Sequence, residues 1–422
     1  MREMKDSGIE WVGKVPKIWS LKPIRALFDE VTEKNFLGTC SNALKFTYGS
    51  IVRKPNFDAD ADDYVASTIL NYTVVEPGTI MLNGLNLNFD FVSQRIGLVK
   101  EKGVITSAYM AFKPNEKHLI DSEFANYLFK AYDGCKAFHN MGGGVRKILN
   151  FNEFKKYYIP LPDLNEQQHI VDLLDTKCSE IDATAEDIQK EISLLEDYKK
   201  SVITEAVTKG LNPDAEMKDS KIFYLGQINK TWNLTKVGYC CKKLYRPFEP
   251  SDEALVCSNK GKVVPRGDTL IGLMTSDDNA MQGICKGDIA IHGMDTWHGA
   301  IACSEYDGKI TRVVHVCKAD GDNRFVVYWL QHLAFVGVYK LISNGVRGNT
   351  SDFRSWDKVA DIYVPNPIKE EQQQIADYLD IKCSEIDTII ADKKRQLDIL
   401  ADYKKSLIYE YVTGKKEVPV NE

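Results

Sequence analysis

The stretch that organises this chain is PLPDLNEQQ at residues 160–168, which returns as PNPIKEEQQ at residues 365–373. From Glu166 and Glu371 onward the two copies align without a gap, at an offset of 205 residues, as far as Thr208 and Thr413. Both copies contain KCSEID and, further on, DYKKS. An ungapped repeat of this kind is the signature of an internal duplication. It predicts a chain that is built from two equivalent halves.

Each copy also has the seven-residue apolar spacing of a coiled coil, which predicts one long helix per copy with a single apolar seam. The first seam consists of Val171, Leu174, Cys178, Ile181, Ala185, Ile188, Ile192, Leu195 and Val202. The second consists of Ala376, Leu379, Cys383, Ile386, Ile390, Leu397, Leu400 and Leu407. Lys393 occupies a seam position in the second copy, where it either sets the register or marks a place where the seam opens.

The ends of the first helix carry their own signals. Asn165, with Gln168 three residues later, predicts a capped start, and Gly210 followed by Pro213 predicts the end. A single apolar seam needs a partner surface. We therefore expect the two helices to pack on each other in antiparallel orientation. The alternative is that each helix packs on its own domain.

The duplication extends beyond the helices, but only as short matching segments. MKDS at residues 4–7 returns at residues 217–220, and GVR at residues 144–146 returns at residues 345–347. The sequences between these anchors diverge. We predict an α+β protein with four segments: a mixed α/β domain at 1–163, a central spacer helix at 164–210, a second mixed α/β domain at 211–368, and a distal spacer helix with a C-terminal tail at 369–422. The halves would be related by a pseudo-twofold axis.

Apolar runs inside the two domains predict buried strands and amphipathic helices. The predicted strands lie at residues 79–82, 108–112, 288–291 and 313–316, and the predicted helices lie at residues 124–129 and 324–330.

The 422 residues carry a net charge of −6, which by itself argues against a nucleic-acid-binding protein. The distribution of charge argues differently: residues 1–163 have a net charge of +2 and residues 217–368 of +3, whereas residues 164–210 have −6 and residues 369–422 have −3. Two mildly basic domains between acidic helices permit DNA contact at the domains. A charge difference of this size is also common on protein surfaces.

The sequence indicates a cytoplasmic protein without a membrane segment. The first residues, MREMKD, are charged, and no apolar run approaches the length of a membrane span. The ten cysteines are scattered and include no CxxC pair, which favours reduced thiols over disulfides.

A search for catalytic motifs finds no phosphate-binding loop, dinucleotide fingerprint, HExxH motif or nucleophile elbow. His292 and His298 form the best candidate pair for a metal site, and ordinary hydrogen bonding by loop histidines is the alternative. We therefore predict no catalytic residue, no metal site and no cofactor-binding residue in this chain.

The candidate DNA-binding residues are basic side chains in polar loops, because Lys and Arg bind phosphates and Arg reads guanine bidentately. The selected residues are Arg146, Lys147, Arg347, Arg354, Arg53 and Lys54; Arg95, Lys262 and Arg266 are further candidates. Arg146, Lys147 and Arg347 follow glycines at matching places in the two halves. The alternative for each is a solvated loop end or a pairing with an acidic residue.

The order of these motifs resembles the specificity, or DNA-recognition, subunit of type I restriction-modification systems. The resemblance rests on KDSGIEWVG at residues 5–13 with Pro16 and Trp19, on YIPLP before EQQ in the first half, and on YVP before EQQ in the second. It also rests on YKKS with VT near the end of each helix. The second domain opening departs from this pattern, since residues 221–224 read KIFY where residues 8–11 read GIEW.

The resemblance implies a sequence-specific DNA-binding subunit without an active site. Its two target recognition domains would each read one half of a bipartite, asymmetric double-stranded DNA target, and its two long helices would fix the distance between the halves. It also implies two adenine-N6 methyltransferase subunits and ATP-dependent restriction subunits as partners. S-adenosylmethionine, ATP and Mg would be expected on those partners and not on this chain. A coiled-coil scaffold without DNA recognition, or a self-contained restriction-modification enzyme, are the alternatives.

Overall fold

The chain folds into two compact units. The computed structural model describes residues 2–47, 49–55, 68–87, 94–141, 143, 147–267, 278–343 and 352–419. The first unit combines Met1–Ile188 with Arg395–Glu422, and the second unit is Gln189–Lys394. Each unit therefore takes one variable domain and half of each long helix. The division into four segments drawn from the sequence stays a prediction.

The first unit contains twelve of the strands described here and most of its structure is antiparallel. Its strands are β1 Met4–Asp6, β2 Lys14–Pro16, β3 Ser20–Pro23, β4 Phe28–Glu30, β5 Leu44–Thr47, β6 Ser50–Arg53, β7 Thr73–Val75, β8 Ile80–Leu82, β9 Ile96–Leu98, β10 Gly103–Ile105, β11 Met110–Pro114 and β12 Tyr158–Leu161. Its short helices are α1 Ser122–Gly134 and α2 Phe151–Phe154. A four-stranded sheet of order β4-β11-β8-β9 carries the core, with α1 against β9.

The second unit repeats this plan. Its strands are β13 Met217–Asp219, β14 Gln227–Asn229, β15 Asn233–Lys236, β16 Cys241–Lys243, β17 Ala254–Ser258, β18 Lys262–Pro265, β19 Met281–Ile284, β20 Ile289–His292, β21 Ile301–Cys303, β22 Gly308–Thr311, β23 Val314–Ala319 and β24 Tyr363–Asn366. The short helices are α4 Val237–Cys240, α5 Asn323–Phe335, α6 Val338–Ile342 and α7 Trp356–Ala360. The sheet of order β16-β23-β20-β21 corresponds to that of the first unit, and β18-β17-β22-β19 forms a second sheet.

The strands and helices predicted inside both domains are confirmed. Residues 79–82 and 108–112 fall on β8 and β11, and residues 288–291 and 313–316 fall on β20 and β23. The predicted helices are α1 and α5. Apolar side chains on these elements are almost fully buried because they face one shared core in each unit.

The repeated opening builds the same small structure twice. Strand β1 pairs with β2, and β13 pairs with β14, in antiparallel orientation. The Lys5 ammonium donates to the Trp19 carbonyl at 2.6 Å, and the Lys218 ammonium donates to the Trp232 carbonyl at 2.6 Å. Both indole rings are almost fully buried. The shared sequence motif thus fixes a tryptophan at the entry of each domain.

The two long helices are α3 Leu164–Lys209, with 46 residues, and α8 Lys369–Val412, with 44 residues. The predicted seam is confirmed, since Leu174, Cys178, Leu379 and Cys383 are all buried. Helix α3 ends at Gly210, whose positive φ of 89° suits the residue that follows a helix.

The predicted capping residue of the first helix, Asn165, was wrong by two residues. The Asp163 carboxylate accepts a hydrogen bond from the Glu166 amide at 2.9 Å, so Asp163 is the capping residue. The Gln168 amide donates forward to Asp172 at 2.9 Å and does not return to the helix start. The capping role therefore belongs to the residue that directly follows Pro162.

The predicted antiparallel packing of the two helices is confirmed inside each unit. In the first unit the Lys404 ammonium meets the Asp182 carboxylate at 2.6 Å. In the second unit the Lys199 ammonium meets the Asp387 carboxylate at 2.7 Å. Lys199 lies late in α3 and Asp387 lies early in α8, as antiparallel packing requires.

Lys393 keeps its place on the seam of the second unit. Its side chain is mostly buried, and its ammonium pairs with the Glu191 carboxylate of α3. An apolar residue occupies the matching position, Ile188, in the first copy. The buried stem of Lys393 with a paired head group favours a register-setting role over an opening of the seam.

A buried glutamine fastens each domain to the start of its helix. The Gln167 side chain accepts from the Asp121 amide at 2.8 Å and donates to the carbonyls of Leu119 and Pro162, both at 3.0 Å. The Gln372 side chain accepts from the Asp322 amide at 3.1 Å and donates to the Pro367 carbonyl at 2.9 Å. The repeated EQQ motif therefore holds α1 and α5 in the same orientation to their long helices.

All ten cysteines are free thiols, and those on the helix seams are buried. Among the described residues, no helix combines the length and the apolar character that crossing a bilayer requires.

Candidate nucleic-acid interface

Of the two candidates in the first glycine-rich loop, Lys147 lies within the described residues and Arg146 lies outside them. Lys147 is exposed and has a positive φ of 40°. Its carbonyl accepts from the Leu87 amide at 3.1 Å, which fixes the backbone, while its ammonium has no acidic partner among the described residues. A fixed backbone with an unpaired exposed ammonium suits a phosphate contact.

Arg53 and Lys54 lie at the end of the hairpin of β5 and β6. Arg53 is largely exposed and its guanidinium lies 3.3 Å from the Glu101 carboxylate. The Lys54 amide donates to the Ala43 carbonyl at 2.9 Å, so the hairpin is held against the neighbouring strand segment. Both side chains project from an ordered hairpin end, and an exposed ion pair such as that of Arg53 is weak enough to be exchanged for a phosphate.

Arg354 is exposed in the second unit and has no ion pair within the described part of the chain, whereas Arg347 lies outside it. The backbone beside Arg354 is held against Gly293: the Phe353 amide donates to the Gly293 carbonyl at 3.0 Å. A Cβ at position 293 would come within 2.8 Å of the Phe353 carbonyl and within 3.0 Å of the Arg354 Cα. Only glycine allows this close approach, which presents Arg354 beside the loop that follows β20.

A cluster of one lysine and two aromatic rings includes Trp356, which follows Arg354 closely in the chain, and the sequence reasoning missed it. The Lys243 ammonium is 5.2 Å from the ring centre of Tyr245 and 5.9 Å from that of Trp356. Tyr245 is 80% exposed. A cation between two aromatic rings combines phosphate attraction with faces on which a base can stack. The interleaved residues 242–246, KKLYR, were the available signal.

His315 is buried beneath this cluster and contacts Trp356. Its ring lies 5.7 Å from the Trp356 ring, and its Nε2 is 2.7 Å from the Phe353 carbonyl. Burial lowers the pKa of His315, and the carbonyl beside it raises the pKa less. The ring is therefore neutral at neutral pH and donates to that carbonyl, which fixes Trp356 and the start of the Arg354 segment together.

The sheet β16-β23-β20-β21, which carries Lys243, is also basic on its opposite face. Lys242 on β16 lies directly opposite Lys318 on β23, and both are exposed. At the matching place in the first unit, Asp29 lies opposite Lys113. The second domain therefore carries more local positive charge than the first at the same structural position. This charge has a cost, because opposed like charges destabilise a strand pair.

Arg95, a further candidate from the sequence, is a structural residue. It is 8% exposed, and its guanidinium donates to the carbonyls of Asn83 at 2.9 Å and Leu85 at 2.7 Å. A guanidinium that is committed to internal carbonyls is not available to DNA. Lys262 is exposed on β18 and Arg266 is half-buried. Their exposure does not distinguish a DNA contact from an ordinary solvated side chain.

His292 and His298 share one carboxylate. The Nδ1 atom of His292 is 3.1 Å from an Asp295 oxygen, and that of His298 is 3.9 Å from the other oxygen. Burial lowers the pKa of His292. In the described part of the chain, no group of three or more His, Cys, Asp or Glu side chains is arranged to hold a metal ion. The Nδ1 atom of His292 is within hydrogen-bond distance of Asp295, and that of His298 is not.

The long helices expose a repeated apolar pair that lies away from the buried seam. Leu194 and Tyr198 of α3 are each more than half exposed, and so are Ile399 and Tyr403 of α8. Leu194 corresponds to Ile399 and Tyr198 to Tyr403 at the offset of 205 residues. Residues four apart share a helix face, so each helix presents one apolar patch to solvent. We call these the exposed helix pairs.

Comparison with known proteins finds similar sequences and one similar fold. The family described as "Type I restriction modification DNA specificity domain" matches residues 23–194. The type I restriction enzyme MjaVIII specificity subunit of Methanocaldococcus jannaschii is 22% identical over 436 residues, which cover 96% of this chain and 94% of that protein.

A solved chain from work described as "Structural basis underlying complex assembly and conformational transition of the type I R-M system" has the same fold. Its TM-score is 0.65 at 14% identity, and the match covers 95% of this chain and 99% of that one. The resemblance to type I specificity subunits and the α+β fold with two long helices, both predicted from the sequence, are confirmed.

Proposed function

We propose that this chain is the recognition subunit of a type I restriction-modification complex and that its two domains read the two halves of a bipartite, asymmetric DNA target. The observation that carries the proposal is a repeated framework with different faces. Gln167 and Gln372 fix the two domains to their helices in the same way. By contrast, Lys243 in the second domain stands where the first domain has Glu30. Two domains that are attached to their helices alike but differ in their DNA-contacting side chains would bind a target whose halves differ.

Under this proposal the basic residues divide between the two domains. Arg53, Lys54 and Lys147 serve the first domain, and Arg347, Arg354 and Lys243 serve the second. Lysines attract phosphates and position the domain, while arginines also reach guanine edges in the major groove. The long helices act as the spacer: at about 1.5 Å per residue each is about 65–70 Å long. Two readers on one spacer also gain affinity, because the second binding step becomes intramolecular.

The exposed helix pairs are proposed to bind two copies of one methyltransferase subunit. Leu194 with Tyr198, and Ile399 with Tyr403, are chemically alike and occupy equivalent positions. Large contiguous apolar patches mark protein contacts, and each pair would lie within such a patch. A repeated patch in one chain suits a partner that binds twice, which explains how a single recognition subunit would hold two identical subunits.

The chemistry of the complex is assigned to those partners. S-adenosylmethionine would be held by the methyltransferase subunits, and ATP with Mg by the restriction subunits. This chain would contribute the choice of DNA site and no catalytic group.

The test is to incubate the complex of this chain and its methyltransferase with a random duplex library and to sequence the bound fraction. The proposal expects two short defined blocks that differ in sequence and are separated by a spacer of fixed length. A contiguous motif, a palindrome or the absence of enrichment would overturn it, and the last result would favour a scaffold without DNA recognition.

A second experiment tests the partner assignment by stoichiometry. Leu194→Asn combined with Tyr198→Ser removes one exposed helix pair, and Ile399→Asn combined with Tyr403→Ser removes the other. Either variant should retain one methyltransferase subunit where the parent chain retains two, as measured by native mass spectrometry. Glu196→Gln, a nearby exposed polar change, is the control. Retention of two subunits by both variants would contradict the assignment.

A further inference from the structure

An apolar turn stands out on the surface of the first domain. The Gly38 amide donates to the Asn35 carbonyl at 2.8 Å, and Gly38 has a φ of 64°, so Phe36 and Leu37 are the central residues of a β-turn. Phe36 is 68% exposed and Leu37 is 89% exposed. No large apolar side chain in the described part of the chain is more exposed than Leu37. Contiguous exposed apolar surface of sufficient area marks a binding site.

The turn is rigidly mounted. Asn35 is only 2% exposed, and its side chain both donates to the Cys40 carbonyl at 2.8 Å and accepts from the Cys40 amide at 3.1 Å. The Asn35 amide donates to the Tyr72 carbonyl at 3.1 Å. These bonds close the base of the loop, so presenting Phe36 and Leu37 costs little ordering entropy when a partner binds.

One lysine, Lys34, adjoins the turn directly. The Lys34 ammonium donates to the hydroxyls of Ser107 at 2.5 Å and Thr73 at 3.2 Å, and it has no acidic partner among the described residues. Cys40 and Ala43 belong to one small apolar cluster, and the Ala43 carbonyl also holds the amide of Lys54. The apolar tip and two of the basic side chains thus project from one small substructure. This combination suits a nucleic acid, whose phosphates are anionic and whose stacked bases are apolar.

Within the described part of the second domain, the corresponding turn has no apolar tip. Its corresponding turn is closed by the Asp252 amide, which donates to the Glu249 carbonyl at 2.9 Å, and its central residues are Pro250 and Ser251. A partner that binds both halves alike would need the same contact in both. The apolar turn of the first domain therefore contacts something that differs between the two halves. Under the proposed function, on which this inference rests, the DNA half-sites are what differs.

We propose that Phe36 and Leu37 form an apolar wedge that enters the base stack of the half-site read by the first domain. Apolar side chains that enter between base pairs unstack them and bend the duplex, and flanking cations hold the phosphates on either side. The wedge would add selectivity for a flexible base step at a position where no hydrogen bond reads the bases.

The test uses the complex with its methyltransferase and the duplex obtained from the library experiment, with 2-aminopurine placed at each position of the first half-site in turn. The parent complex should raise the fluorescence severalfold at one base step. Phe36→Ser with Leu37→Ser should abolish that rise and weaken binding about ten-fold, the order expected for one lost stacking contact. Phe36→Trp should keep both effects.

Controls separate this inference from the proposed function. Ser251→Ala changes the corresponding turn of the second domain and should leave fluorescence and affinity unchanged. The adenine taken up by the methyltransferase gives its own signal, which the turn variants should leave in place. If the parent complex selects no split motif, the proposed function fails. If the motif is intact but the double variant keeps the parent fluorescence, or loses affinity without any parental unstacking signal, the wedge is refuted.

Discussion

The hydroxyl of Tyr328 donates a hydrogen bond to the Asp380 carboxylate at 2.7 Å and so ties α5 of the second domain to α8. The first unit repeats this bond between Tyr127 and Asp175 at 2.6 Å. Burial raises the pKa of both tyrosines, so each hydroxyl remains a donor at neutral pH. The orientation of each domain on its helix therefore depends on side chains outside the coiled-coil seam.

Tyr328→Phe removes this tie without removing the ring. We expect the free energy of unfolding of the second unit to fall by about 1–2 kcal/mol, the usual loss for a hydrogen bond to a charged group. Asp380 would remain paired with Arg324, which lies 2.6 Å away, so no carboxylate is left unpaired. Urea unfolding measures the change. Tyr239→Phe alters an exposed hydroxyl and serves as control; equal stability of the two variants would contradict the role of the tie.

Lys221 adopts a strained backbone conformation that its counterpart does not need. Its φ is 63°, and the matching residue in the first opening is Gly8, with a φ of 68°. In each case the amide donates to an aspartate two residues earlier, at 3.0 Å for Lys221 and 2.9 Å for Gly8. Lys221→Gly should raise the free energy of unfolding by about 1 kcal/mol. The reverse change, Gly8→Ala, should lower it by a similar amount in the same urea titration. A loss of stability in Lys221→Gly would contradict this account.

His332 should make the second unit sensitive to mild acid. It is 5% exposed, lies 3.0 Å from the Thr204 hydroxyl of α3, and burial lowers its pKa to about 4. The unfolded chain has a histidine pKa of about 6.5 and takes up the proton first as pH falls. The stability that the neutral ring contributes is therefore complete above about pH 6.5 and is lost as pH falls toward 4.

Between pH 7 and pH 5 this group should account for a loss of about 2 kcal/mol in the free energy of unfolding. His332→Leu keeps the volume and removes the titration, so its loss over the same interval should be smaller by that amount. Urea titrations at the two pH values measure the difference. An identical pH dependence in the parent and the variant would show that His332 is not buried in its neutral form.

Arg347→Ala and Arg354→Ala should weaken DNA binding and leave methyltransferase assembly intact. Each lost phosphate contact should reduce the slope of log affinity against log salt by about one. Fluorescence anisotropy over a salt series measures this slope. Lys177→Ala, on the acidic helix α3, is the control because Lys177 pairs with Glu180 at 2.8 Å. Loss of assembly in an arginine variant would assign that residue a structural role.

Lengthening the helices should change the target without changing its halves. Four residues inserted near Asp187 in α3 and at the equivalent Asp392 in α8 add about one helical turn, or about 6 Å. Since the base pairs of duplex DNA are about 3.4 Å apart, the preferred spacer should grow by about two base pairs. The library experiment reads the spacer and both blocks at once. An unchanged spacer would refute the idea that the helices measure distance.

The long helices and the domain elements could be predicted because their signals are local and periodic. The seam residues recur every seven positions and lie in the interior, as Leu174 and Leu379 illustrate. The helix cap was misplaced because Asp163 and Asn165 are both good capping residues. Two side chains are engaged elsewhere than at Asn165: Glu166 accepts from the Trp19 indole at 2.9 Å, a tertiary contact, and Gln168 bonds within the helix to Asp172.

The candidate interface was less accessible to sequence reasoning because it is assembled from distant segments. Tyr245 and Trp356 are more than a hundred residues apart in the chain, and Lys243 lies between their rings only after β16 and α7 are in place. Conversely, Arg95 was selected as a basic loop residue, and its burial on internal carbonyls depends on a fold that no local pattern reveals. Residue type identified the chemistry, and tertiary structure determined which side chains can use it.

The central claim, that this chain chooses the DNA site for a separate methyltransferase, is tested most directly by mapping adenine methylation in genomic DNA. Cells would express the partner methyltransferase with the chain, without it, or with the chain carrying Arg347→Ala. The account predicts a split, asymmetric adenine motif that appears only when the chain is present and is depleted in the variant. A motif that persists without the chain, or no motif that depends on it, would contradict the account.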